Sequence, residues 1–87
     1  MSAEQITSCQ ELITGAKRIV VEGENLNTGV VRRLSLFAQL AGFGLYQTEA
    51  GFEMRGENEL AEENTGPFAL VLDAMKLQNP EMQITAF

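Results

Sequence analysis

One thiol, twelve carboxylates and no imidazole are the groups with which this sequence could do covalent or acid–base chemistry. The thiol is Cys9, which recurs with Ile6, Leu12 and Ile13 at helical spacing, so it reads as a packed residue on an apolar stripe. A nucleophilic cysteine needs a partner that holds the thiolate, and the chain has no histidine to supply one. A single cysteine also forms no disulfide within the chain and, without histidine, builds no soft-metal site. Of the carboxylates, Glu57, Glu59, Glu62 and Glu63 fall in one polar stretch. That stretch lacks paired acids on an apolar wall, and it lacks the spaced Asp/Asn ligands and central glycine of a calcium loop. The residues therefore predict no catalysis, no metal and no cofactor.

Anion binding is the remaining chemistry to test. Thr28-Gly29 and Thr65-Gly66 both read as helix starts, where free N–H groups and the helix dipole attract negative charge. Glu62 and Glu63 precede the second pair, which leaves it as a cap. Glu24 precedes the first, but Arg32 and Arg33 follow one turn later, so a small ligand is expected at Asn25, Asn27, Thr28 and Gly29.

The elements that position these residues can be read in turn. Residues 3–16 predict a helix capped by Ser2 or Ser8 and ended by Gly15. Residues 18–22, Arg-Ile-Val-Val-Glu, are a β-branched run bounded by glycine and predict an interior strand. Thr28 is expected to cap a helix over 29–41, with Val30, Val31, Leu34, Phe37, Ala38 and Ala41 turned to a sheet and Gly42 as its stop. On the opposite side Arg32, Arg33, Leu36 and Leu40 form a candidate interface, because two leucines at i and i+4 stand there among polar residues. Strands at 45–48 and 52–55 flank Glu49-Ala50-Gly51, a loop expected to place Gly51 in the left-handed region. Residues 56–64 read as an acidic loop. Pro67 is expected in the first turn of a helix over 67–78, capped by Thr65 or Gly66, whose narrow polar strip is Ala69, Asp73 and Lys76. Asn79-Pro80 ends it, and the alternation of 82–87 predicts a last strand.

A helix followed by β-α-β-β-α-β gives an α+β fold. Its expected form is the ferredoxin-like split βαβ arrangement, a four-stranded antiparallel sheet with two helices, preceded by an N-terminal helix. Asn27-Thr28-Gly29 and Asn64-Thr65-Gly66 echo one another at the two expected helix starts.

Residues 29–45 resemble the first helix and second strand of ACT domains, small ligand-sensing modules with the same element order. Gly29, Leu34, Phe37, Gly42, Phe43 and Leu45 fall in matching places, with Gly44 where the family often has Asn. The family's Asp-x-Pro-Gly entry stands here as Leu26-Asn27-Thr28-Gly29. The resemblance implies effector binding near residues 25–29 beside a dimer interface, and no catalysis.

Length and charge bound the rest. With 87 residues, 45% apolar, the chain is expected to be a single small domain over 1–87. It has no apolar run of membrane-spanning length and no secretory leader, so a cytoplasmic location is expected. A net charge of −6 argues against nucleic acid as a partner. The whole of that charge lies in residues 44–87, either as a solvated loop or as a surface for a basic partner. The functional expectation is a non-catalytic regulatory domain that binds a protein partner or small effector and self-associates as a homodimer. The alternative is an acidic inhibitor or adaptor, of the kind phages and mobile elements encode, that occludes a basic site on a larger protein.

Overall fold

The computed structural model describes residues 9–87. Among them follow α1 (Cys9–Ile13), β1 (Arg18–Glu22), α2 (Thr28–Leu40), β2 (Phe43–Gln47), β3 (Gly51–Gly56), α3 (Glu62–Gln78) and β4 (Gln83–Ala86). The fold is α+β, with three helices and a four-stranded antiparallel sheet in the order β2-β3-β1-β4. β1 and β2 both run antiparallel to β3, so they are parallel to one another with β3 between them. β3 and β4 are likewise parallel with β1 between them. The two crossover helices return against strands of opposite direction, so α2 and α3 run antiparallel to each other.

Strand alternation builds the core. Ile19 and Val21 of β1 face the same side as Phe52 and Met54 of β3, their register partners, and all four are buried. Phe43 joins them from β2, while Ile84 and Ala86 of β4 pack at the margin. Leu34 and Ala38 of α2 and Phe68, Leu72 and Met75 of α3 cover this face. The Phe43 and Phe68 rings meet with centroids 6.3 Å apart and planes tilted by 57°, within the favoured range for aromatic pairs.

The expected strand over 18–22 forms as β1, and the apolar face expected for α2 packs as read. The α2 cap differs: Asn27, not Thr28, holds the extended cap position, and its Oδ1 accepts from the Val30 N–H at 3.1 Å. Gly29 leaves room for that bond, since a Cβ there would lie 3.2 Å from Asn27 Oδ1. Gly15 and Gly42 end α1 and α2 with φ of +80° and +82°, as expected of helix stops. Ser2 and residues 3–8 of the expected first helix, Ile6 and Ser8 among them, lie outside the described residues, and of residues 9–16, Cys9–Ile13 form the helix α1.

The hairpin is tighter than expected. Thr48 and Gly51 exchange backbone hydrogen bonds of 2.9 and 3.4 Å, leaving only Glu49 and Ala50 in the loop. Gly51 belongs to β3 and does not adopt the left-handed region; a Cβ on it would sit 2.2 Å from the Val21 carbonyl oxygen. Glycine is needed there for close approach.

α3 departs furthest from expectation. It begins at Glu62 rather than Pro67, so the acidic loop shortens and Glu62 and Glu63 occupy the first turn, where the helix dipole favours them. Neither Thr65 nor Gly66 caps it. Ala61 is the cap residue, with no side-chain cap bond. Thr65 is wholly buried inside the helix, its hydroxyl donating to the Ala61 carbonyl at 2.8 Å. The echo with Asn27-Thr28-Gly29 therefore marks no second helix start. Pro67 lies within the helix and lacks the N–H that would reach the Glu63 carbonyl. Gly66 makes this tolerable, because it has no Cβ for the proline ring to crowd in helical conformation. The strip expected to be polar is also displaced. Ala69 is buried and Asp73 accepts from the Cys9 N–H at 3.0 Å, so α1 covers that side and Leu70 and Leu77 face outward instead.

Candidate functional site

The loop from Gly23 to Asn27 leaves β1 and enters α2 through one unusual residue. Asn25 has φ of +57°, and among the described residues no other non-glycine has positive φ. Asparagine tolerates this conformation better than most side chains. Asn79 at the end of α3 donates from Nδ2 to the Glu24 carbonyl at 3.0 Å, tying the loop across the molecule.

Asn25 lines three concavities, and the two of them that reach a helix differ in character. One, of about 380 Å³, lies against the end of α3 and is walled by Glu24, Asn27, Met75 and Asn79. The other, of about 600 Å³, lies between the first turns of α2 and the β2–β3 hairpin. Val31, Leu45 and Phe52 give this larger cavity an apolar lining, while Arg32, Thr28, Gln47, Thr48 and Glu49 contribute polar groups. One cation and one carboxylate thus share a cavity with apolar walls, which is the usual build of a small-molecule site.

The four residues expected to bind a ligand are separated by these facts. Asn25 and Thr28 line the larger cavity. Asn27 lines only the smaller one, and its side-chain oxygen serves the helix cap. Gly29 lines neither cavity and acts through the room it leaves beside that cap. Of the four expected interface residues, Arg32 lines the larger cavity, and Arg33, Leu36 and Leu40 are exposed on α2. The hairpin contribution, Leu45, Gln47, Thr48 and Glu49, was not foreseen. Alternation within the strands places Leu45 on the core side, but no local signal brings it beside Arg32.

A second polar group, also unforeseen, lies on the sheet face opposite the helices. Glu53 accepts from Arg18 Nη2 at 3.3 Å and forms an ion pair with Arg55, whose Nε lies 2.8 Å from Oε2. The Arg55 guanidinium lies 4.2 Å from the Tyr46 ring centroid, and that of Arg18 lies 5.0 Å from the Phe87 centroid. Each arginine is about half exposed, so these pairs contribute about 0–1 kcal/mol each. They order the strand surface, where Tyr46 and Arg55 also border an open concavity of about 390 Å³ with Gly44 and Glu57.

Cys9 is buried, as expected. Burial first, and then its hydrogen bond to Asp73, pushes its thiol from the ordinary 9.0 up to about 12. The native thiol should therefore resist alkylation at pH 8 and react at the free-thiol rate only once the chain is unfolded. Between pH 9.0 and about 12 the unfolded chain loses this proton while the native chain keeps it. Stability should fall with rising pH across that window by roughly 1 kcal/mol per pH unit, and below it this group adds no pH dependence. Denaturant titrations of the protein and Cys9→Ala at several alkaline pH values check this through the difference in slope.

Among the described residues no three His, Cys, Asp or Glu side chains form a metal-holding group, and no helix is long and apolar enough to cross a membrane. Set against family models, curated proteins and solved structures, the chain matches none.

Proposed function

We propose that this chain is a non-catalytic, cytoplasmic regulatory domain that takes a small zwitterionic effector between α2 and the β2–β3 hairpin. The carrying observation is the joint presence of Arg32 and Glu49 around the cavity lined by Val31, Leu45 and Phe52. Arg32 would pair with a carboxylate, Glu49 with an ammonium group, and the apolar lining would take the body of the ligand. The first turn of α2, where Thr28 lines the cavity, adds to the attraction for the carboxylate. The fold assignment proposed with it is the ferredoxin-like split βαβ, supported by each crossover helix joining two parallel strands with a third between them. The likeness of residues 29–45 to ACT domains points the same way.

A panel of free amino acids, with matched amines and carboxylates, tests the reading by thermal shift. A ligand at 100 times its dissociation constant should stabilise the native state by about 2.7 kcal/mol. Arg32→Ala should abolish the shift while leaving the melting of the free protein nearly unchanged, since Arg32 is exposed. A panel without any stabilising member, or a shift that survives Arg32→Ala, overturns the assignment. A second reading, the acidic inhibitor, has its own support. Glu57, Glu59, Glu62 and Glu63 are all exposed around Leu60, which is buried and pinned by backbone bonds to Gly15 and Ala16. Tight capture of one basic macromolecule with no response to the panel would favour it.

A further inference from the structure

Past the end of β1 the ladder to β3 continues for one more bond. Glu22 pairs with Gly51, and the Gly23 N–H then donates to the Ala50 carbonyl at 2.8 Å. One position further in the same register stand Glu24, on the loop leaving β1, and Glu49, in the turn of the hairpin. Both border a recess of about 650 Å³ with Gly23, Asn25 and Ala50. Like charges at opposed positions of a register repel one another. Both residues are exposed, and among the described residues neither carboxylate has an ion pair or a hydrogen bond. The main chain on either side is nonetheless fixed, by the Gly23–Ala50 bond and by Asn79 Nδ2 donating to the Glu24 carbonyl at 3.0 Å. The fold thus holds two carboxylates side by side and gives neither a cation of its own.

This recess adjoins the effector cavity, since Gly23, Asn25, Glu49 and Ala50 border both. The joined trough combines Arg32, the apolar lining of Val31, Leu45 and Phe52, and two carboxylates. One cation and two anions are complemented by a ligand with one carboxylate and two cationic groups.

We propose that the recess between Glu24 and Glu49 is a second subsite, and that the effector is a basic amino acid whose distal ammonium or guanidinium it takes. This rests on the effector reading above and narrows it. The α-carboxylate goes to Arg32, the side-chain methylenes lie along the apolar lining, and the distal cation donates to Glu24 and Glu49 together. Glu49 has two acceptor oxygens, so it serves the α-ammonium as well. A hard divalent cation wants roughly six to eight oxygen ligands, more than two carboxylates and one amide supply. An organic cation needs no such shell, and its charge relieves the repulsion between the two glutamates.

Calorimetric titration of the full chain with lysine, norleucine and cadaverine is the test. Norleucine keeps the lysine skeleton and lacks only the distal ammonium; cadaverine keeps both ammonium groups and lacks the carboxylate. Lysine should bind at least about tenfold tighter than either. Glu24→Gln should bring lysine down to the affinity norleucine shows. The free variant should melt no lower than the parent, because Glu24 is exposed and one of two like charges is gone. Arg32→Ala should abolish lysine binding. If lysine and norleucine bind alike, the second subsite is overturned and the effector reading stands. If no amino acid binds, the effector reading fails and this proposal with it. Cadaverine binding as tightly as lysine would mean that the net charge of −6 merely collects cations, and would overturn the proposal. Lysine affinity that survives Glu24→Gln would overturn it too. A rise in Tm with Ca²⁺ alone, lost in Glu24→Gln, would overturn it in favour of a metal site.

Discussion

Deleting residues 82–87 should abolish cooperative unfolding. β4 stands at the edge of the sheet, yet it pairs with β1 along the register from Ile19↔Ala86 to Glu22↔Gln83. Its loss would expose the ladder edge of a strand whose Ile19 and Val21 are fully buried. The Phe87 carbonyl also accepts from the Lys17 and Arg18 N–H groups at 2.8 and 3.3 Å, closing the start of β1. Met82, only 1% exposed, goes with the strand, and truncating a buried methionine alone costs about 2–5 kcal/mol. A domain of this size holds about 5–15 kcal/mol in total, so these losses exceed what it can spare. Heat and denaturant titrations followed by circular dichroism should give a broad, featureless slope. A truncated chain that still melts cooperatively near the parent temperature would show that β4 is dispensable and the sheet core complete without it.

How much of this was legible depends on how local the physics is. β1 could be read because a β-branched run between glycines is a strand wherever it is packed. The outward leucines of α2 could be read because the helical period fixes a face once the apolar side is known. α3 was misread at its start because Pro67 favours a first turn and the glutamates before it favour a loop. Burial of Leu60 and Thr65 overrides both, drawing the helix back to Glu62. Its faces were misread because only the docking of α1 shows that Ala69 and Asp73 are covered. The candidate cavity was half legible. Asn25, Thr28 and Arg32 lie within one turn of a helix start, while Leu45, Gln47 and Glu49 arrive only when the hairpin folds beside it. The Arg18–Glu53–Arg55 cluster needs the pairing of Arg18 with Arg55 and of Val20 with Glu53, a non-local register that residue types do not encode.

Gly51 is the sharpest case of that non-local information, and Gly51→Ala is expected to be among the most damaging single substitutions. In a hairpin viewed alone, a glycine after two loop residues looks replaceable once its φ is ordinary, and alanine would then even stabilise by restricting the unfolded chain. The sheet reverses the sign. The added Cβ would stand 2.2 Å from the Val21 carbonyl oxygen and 3.1 Å from its carbon, backbone atoms that a rotamer change cannot move. Relief requires β1 and β3 to separate where Glu22 pairs with Gly51. That shift would disturb Val21 and Phe52, the buried register pair beside it, and the Gly23 N–H bond to the Ala50 carbonyl at 2.8 Å. Overpacking of this kind costs about 1–3 kcal/mol, and at about 4–8 °C per kcal/mol the Tm should fall by roughly 4–24 °C. Native-state hydrogen exchange should place the loss along the β1–β3 ladder first. An unchanged or raised Tm would mean that Gly51 is only a turn residue and that the close approach of β1 to the hairpin is not a feature of the folded protein.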